Sequence, residues 1–98
     1  MWPFTHVVVA ETSMRPTLSP GDRLVVFRWT RPRPGDLVVV RDPAYPKRLL
    51  VKRLTGSTPA GEYLLAADNP NVGTDSRYLG AIPPALLVGK VIWRYGSR

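Results

Sequence analysis

Residues 34–40 read PGDLVVV, and residues 20–26 read PGDRLVV. In both, a proline fixes φ, a glycine tolerates conformations other residues avoid, and an aspartate can bond its own backbone, so each begins as a chain reversal. Each then launches a valine-rich run, which favours a strand over a helix. Seven-residue copies fall short of a solenoid period, so the echo reflects shared turn chemistry rather than a repeat. Working outward, eleven prolines and eight glycines punctuate further short β-branched runs. The strands expected are residues 5–10, 23–29, 36–41, 48–54, 62–67 and 86–94, with looser segments at 56–61 and 69–75. Six strands suffice for a small barrel or coiled sheet, and 98 residues make one domain, 1–98, with one core. The fold class is mostly β.

Composition removes several chemistries. Cysteine is absent, which excludes disulfides, a thiol nucleophile and cysteine-held metals. One histidine, His6, excludes a multi-histidine metal site. Fourteen basic residues stand against seven acidic ones, a net charge of +7 that biases the chain towards anionic partners. The basic residues are scattered singly or in short pairs, so a dedicated nucleic-acid surface is not favoured. The longest aliphatic runs, residues 7–10 and 37–40, fall far short of the ~20 residues of a membrane helix. Residues 1–4 carry no basic segment of a secretory signal. These features lead to an expected cytoplasmic location, with Trp2, Phe4 and the arginines allowing peripheral membrane contact.

Ser13 lies between the first expected strand and Pro16. A serine hydroxyl is a weak nucleophile at neutral pH and needs a base within hydrogen-bond reach and donors for the oxyanion. His6 is separated from Ser13 by an extended stretch of about 23 Å, so it serves only if the chain turns back. Among the lysines, Lys52 shares a strand face with Leu50 and Leu54, and desolvation there would disfavour its ammonium form. Lys90, in VGKVIW, has a similar pattern. On local chemistry alone, a lysine that snorkels at a sheet edge and a serine or threonine that caps a helical turn are the better account of these residues.

Three boxes in order resemble the serine-lysine peptidases of the type I signal peptidase family. The first is Ser13-Met14-Arg15-Pro16-Thr17-Leu18 with Gly21-Asp22, the second Lys52-Arg53-Leu54-Thr55-Gly56, and the third Ala67-Asp68-Asn69 with Asp75-Ser76-Arg77-Tyr78-Leu79-Gly80. The resemblance implies a signal-peptidase-like β core with a short helical turn after the nucleophile. It implies a serine endopeptidase in which Ser13 is the nucleophile and Lys52 the general base, with no cofactor and no metal. The partner implied is a precursor protein bound as an extended strand beside residues 5–11 and 49–51, which brings in Glu11, Thr12, Met14, Leu50 and Val51. Asp75 and Arg77 would form a supporting pair behind the lysine. Among soluble relatives the third box is most similar to nickel-type superoxide dismutase maturation proteases.

Departures from the pattern are informative. Glu11 stands where the family often has serine or glycine, and a carboxylate only accepts hydrogen bonds, so the second oxyanion donor is not apparent. Gly73 stands where a serine often contacts the lysine, and Ala67 replaces the third box's first glycine. The chain is expected to be a catalytic core without a transmembrane segment or a large inserted β domain. Two alternatives remain at this level: a self-cleaving repressor-type domain, and a non-catalytic basic binding module on the same fold.

Overall fold

Both proline-glycine-aspartate motifs form the same reversal in the computed structural model, which describes residues 2–69, 71 and 79–96. Gly21 and Gly35 take φ of 92° and 98°, the left-handed region a type II turn requires after proline. The aspartate N–H donates to the carbonyl of the residue before the proline, Asp22 to Ser19 and Asp36 to Arg33, at 3.0 Å in both. The carboxylates return the favour, accepting the N–H of Ser19 at 2.9 Å and of Arg33 at 2.8 Å. Each turn is thus closed from both sides, and a strand follows at once.

The strands are β1 (Phe4–Val8), β2 (Arg23–Phe27), β3 (Leu37–Arg41), β4 (Leu49–Ser57), β5 (Tyr63–Ala66) and β6 (Leu87–Tyr95). All six expected strands are present, with ends displaced by up to three residues. The largest displacement is at β4, which runs through Gly56 and Ser57 because a register irregularity between Leu54 and Gly56 lets the strand continue past the glycine. A helical turn follows Ser13, with the Leu18 N–H donating to the Met14 carbonyl at 2.8 Å. A short 3-10 segment, Pro84–Leu86, leads into β6.

The strands make one antiparallel sheet in the order β1-β2-β6-β3-β4-β5. The C-terminal strand therefore lies between the two strands that the turn motifs launch. The β3 run Val38, Val39 and Val40 is buried on both faces. Alternation sends Val39 and, across the register, Val51 into a cluster with Val7, Met14, Leu18 and Leu24. Val38, Val40, Leu50 and Leu54 face the other way, with Leu65 and Ile82. Where β6 crosses β2 the backbones come so close that a Cβ on Gly89 would lie 2.5 Å from the Phe27 carbonyl oxygen, so only glycine fits. Among the described residues the sheet does not close: β1 and β5 are its two edges.

Candidate active site

Among the described residues β1 pairs on one side only, with β2. Val9 donates to the Asp22 carbonyl at 2.9 Å and accepts from Gly21 at 2.7 Å, and Arg28 donates to Pro3 at 2.7 Å. Odd-numbered residues of this segment thus turn their peptide groups towards β2, and alternation turns those of His6, Val8 and Ala10 outward. On β4 the Arg48 carbonyl accepts from Asp42 and Leu54 bonds residues 35 and 36. Even-numbered residues therefore face β3, while Leu49 and Val51 face the opposite way. β5 pairs with β4 only from Arg53 onward. The two outward-facing edges border one space, lined by residues 7–11, Ser13, Met14, Leu49 and Val51. This is a slot with strand-pairing groups on both walls. Beside Ser13 it holds only about 20 Å3, on the order of a single water.

Ser13 is 3 % exposed and Met14 1 %. The turn that carries them is held at both ends. The Asp22 carboxylate takes the Ser19 N–H and also faces Arg94 Nη1 at 3.3 Å. At the other end the Asn69 N–H donates to the Ser13 carbonyl at 2.9 Å and Asn69 Nδ2 to the Thr12 carbonyl at 3.2 Å. Asp68 completes the attachment. Its Oδ2 accepts from Thr17 Oγ1 at 2.6 Å and from Arg53 Nη2 at 2.6 Å, and its Oδ1 from Arg53 Nε at 3.2 Å. Arg53 Nη1 reaches on to the Gly35 carbonyl at 2.8 Å. The hydrogen bonds from Arg53 hold the Asp68 carboxyl below the usual carboxylate range, against the opposing effect of burial and with Thr17 adding to the shift. Asp68 in turn raises the Arg53 guanidinium. Residues 68–69 thus tie the serine's turn to the residue next to Lys52.

Lys52 is completely buried, opposite Val38 and on the face of Leu50 and Leu54. The competing lysine is resolved by its surroundings: the Lys90 side chain is 36 % exposed and its Nζ lies 3.5 Å from the Asp36 carboxylate. An ammonium stripped of water is costly, so complete burial sets Lys52 apart chemically. Among the described residues no cluster of three metal-ligating side chains occurs.

The model of the family described as signal peptidase, peptidase S26, matches residues 1–58 and 55–96. The chain belongs to this family. Its similar proteins include mitochondrial ATP-independent inner membrane protease subunit 1b of Arabidopsis thaliana, 29 % identical over 108 residues, covering 84 % of this chain and 64 % of that protein. Mitochondrial inner membrane protease subunit 1 of Mus musculus is 30 % identical over 111 residues, covering 90 % and 67 %. Subunit 2 of Schizosaccharomyces pombe is 29 % identical over 115 residues, covering 89 % and 64 %. The chain thus spans about 64 % of the length of the first of these relatives.

These relatives correct one expectation and leave another without support. A cytoplasmic location is overturned, since the similar proteins are inner membrane protease subunits and point to a membrane-associated one. The charge and hydropathy argument failed because it asked only whether this chain spans a membrane, and among the described residues no helix is long and apolar enough to do so. The finer likeness to nickel superoxide dismutase maturation proteases finds no support among them either.

Placed on this peptidase S26 framework, the expected residues divide. Glu11, Ser13, Met14 and Val51 come together around the slot. Thr12 is exposed and contributes its carbonyl to Asn69. Leu50 does not line the slot: it is 2 % exposed in the second core cluster, and its neighbour Leu49 takes the wall position, because backbone parity decides which residue faces the open edge. His6, on β1, is exposed and lines a different cleft. Asp75 and Arg77, like Gly73, lie outside the described residues. The supporting ion pair that the structure does describe is Arg53 with Asp68, at 2.6 Å. Both stand inside the boxes, but their pairing joins positions fifteen apart across a turn, which local reading does not reveal. Glu11 also has a partner: Arg48 Nη2 donates to its Oε2 at 2.7 Å, linking the two walls.

Proposed function

We propose that this chain is the catalytic unit of a serine endopeptidase that removes a leader segment from a precursor protein, with Ser13 as nucleophile and Lys52 as general base. The observation that carries this reading is a wholly buried lysine on the strand that also walls an open-edged slot containing a buried serine. The slot suits a precursor held extended, its peptide groups pairing with those of Val8 and Ala10 on one side and Leu49 and Val51 on the other. The small space beside Ser13 and Met14 suits a small side chain just before the cut.

In this reading neutral Lys52 accepts the Ser13 hydroxyl proton as Oγ attacks the scissile carbonyl. The oxyanion is met by the Ser13 N–H, at the entrance to a helical turn. Collapse transfers the proton from Lys52 to the leaving amine and leaves an ester on Ser13. A water then gives a proton to Lys52, attacks the ester, and frees the carboxyl product and the Ser13 hydroxyl. Desolvation favours the neutral amine this cycle begins with. The chain would work beside a membrane, as its relatives' names suggest, and exposed Trp2, Trp29 and Trp93 provide interfacial side chains for that contact.

The test is mass spectrometry of precursors incubated with the wild type and with Ser13→Ala. A nickel superoxide dismutase proform belongs in the panel on the strength of Asp68-Asn69-Pro70 alone. Cleavage at one site that disappears with Ser13→Ala supports the reading; cleavage that survives Ser13→Ala or Lys52→Ala refutes the dyad.

A further inference from the structure

Next to the slot beside Ser13 is a second cleft of about 330 Å3, and Val7 and Leu49 line both. The second cleft lies at the end of the sheet where β1, β4 and β6 begin and where β2 and β3 finish. Its cationic side chains are Arg28, just beyond β2, and Arg41 at the last position of β3, with His6 of β1 beside them in the lining. Among the described lining residues there is no carboxylate. The nearest acid in sequence, Asp42, is engaged elsewhere: its Oδ1 accepts the Ala44 N–H at 2.8 Å and its Oδ2 lies 3.8 Å from Arg48 Nη1. Arg41 donates one N–H to the Pro46 carbonyl at 3.1 Å, which steadies the guanidinium and leaves the rest of its fork of donors for a ligand.

We propose that this cleft is a subsite for an acidic side chain of the precursor, aspartate or glutamate, three to five residues before the scissile bond. The proposal rests on the endopeptidase reading above and names the substrate class more closely. A precursor lying along the outward edge of β1, and running parallel to it, advances about 3.3 Å per residue, as the strand does. The residue before the cut lies beside Ala10 and Glu11 at the narrow part of the slot. The stretch from Ala10 back to His6 is therefore matched by about four precursor residues, which brings the next side chain to Arg28 and Arg41. Two guanidinium groups in a concave site take a carboxylate through charge-assisted hydrogen bonds, which a lone surface arginine does not match. A lysine or arginine at the same precursor position meets like charge instead, so the cleft discriminates in both directions.

The experiment uses fluorogenic peptides that differ only by Glu, Gln or Lys at the third, fourth or fifth position before the cut. Cleavage by the wild type is measured as kcat/KM, and binding to Ser13→Ala is measured by fluorescence anisotropy. At one of the three positions the Glu peptide should exceed the Gln peptide about tenfold in both measurements, with Lys below Gln. Arg28→Gln and Arg41→Gln should each bring the Glu-to-Gln ratio towards one, and Arg28→Glu should reverse the preference in favour of Lys. The reversal is a readout that loss of folding does not produce. Equal handling of Glu and Gln by the wild type at all three positions overturns the subsite, as does a Glu preference that survives both arginine variants. If no peptide is cleaved, the endopeptidase reading fails by itself. The anisotropy arm still decides the cleft, since absence of a Glu preference in binding overturns it.

Discussion

Removing the Asp68 carboxylate should loosen the serine's turn and destabilise the domain by about 2 kcal/mol. Asp68→Ala deletes three accepted hydrogen bonds, two from Arg53 at 3.2 and 2.6 Å and one from Thr17 at 2.6 Å. Hydrogen bonds to charged groups contribute about 1.5–3 kcal/mol when sheltered, and exposed ion pairs about 0.2–1 kcal/mol. The side chains here are 33 % and 17 % exposed, between those limits. For a domain of this size the loss corresponds to a fall in Tm of about 8–16 °C, readable by circular dichroism. A double-mutant cycle with Arg53→Ala isolates the pair, and a coupling of about 1 kcal/mol is expected. Additive single mutants would show that the contact contributes nothing.

The same carboxylate makes a signed prediction with pH. Hydrogen bonds from Arg53, then from Thr17, hold the Asp68 carboxyl below its ordinary value. Its contribution to stability is therefore complete above the unfolded carboxylate pKa of ~3.9 and is lost as pH falls through the lower folded value. Wild type and Asp68→Ala should converge in stability on acidification below about pH 4. A stability gap that persists unchanged to pH 2 would refute this assignment of the ion pair.

Other consequences follow from the same contacts. Lys52→Met should abolish cleavage while leaving the fold as stable as the wild type or more so, since an apolar chain of similar volume replaces a buried amine; chemical denaturation and peptide turnover measured together check both halves. The pH profile of kcat/KM should rise through a midpoint below the ~10.4 of an ordinary lysine, and a midpoint at that value would contradict the proposed role of burial. Gly89→Ala should cost roughly 1–3 kcal/mol in denaturant unfolding, because its methyl group would meet the Phe27 carbonyl oxygen at 2.5 Å and Val26 Cγ1 at 2.8 Å. Restoring a donor where Glu11 only accepts, Glu11→Ser should raise kcat about tenfold with little change in KM, a partial return of what an oxyanion donor contributes.

Most of the strands were legible because turn chemistry and β-branched runs are local signals, and the two Pro-Gly-Asp reversals form as their residues dictate. Sheet order was not legible. The insertion of β6 between β2 and β3 depends on a glycine that lets two backbones meet, and nothing around Gly89 announces its partner. At the site, Ser13 and Lys52 were singled out through the boxes, and the structure adds that both are buried. Of the expected wall 49–51, Leu49 and Val51 line the slot and Leu50 does not, because side-chain alternation and backbone alternation point in perpendicular directions and only the latter governs strand addition. The Arg53–Asp68–Thr17 cluster was missed since it forms through space between segments that sequence separates.

The unclosed sheet bears directly on the chemistry. Had β5 extended along the whole of β4, or had β1 paired with Leu49 and Val51, the outward peptide groups of Leu49 and Val51 would be satisfied within the chain and no precursor strand could pair with both walls. The gap lies where β5, which begins pairing only at Arg53, does not reach Leu49 and Val51. Across the opening, Glu11 pairs with Arg48, an ion pair whose side chains are 33 % and 53 % exposed. Such a pair contributes about 0–1 kcal/mol, so an incoming strand can part it at little cost. The pair thereby links the two walls without the slot being sealed.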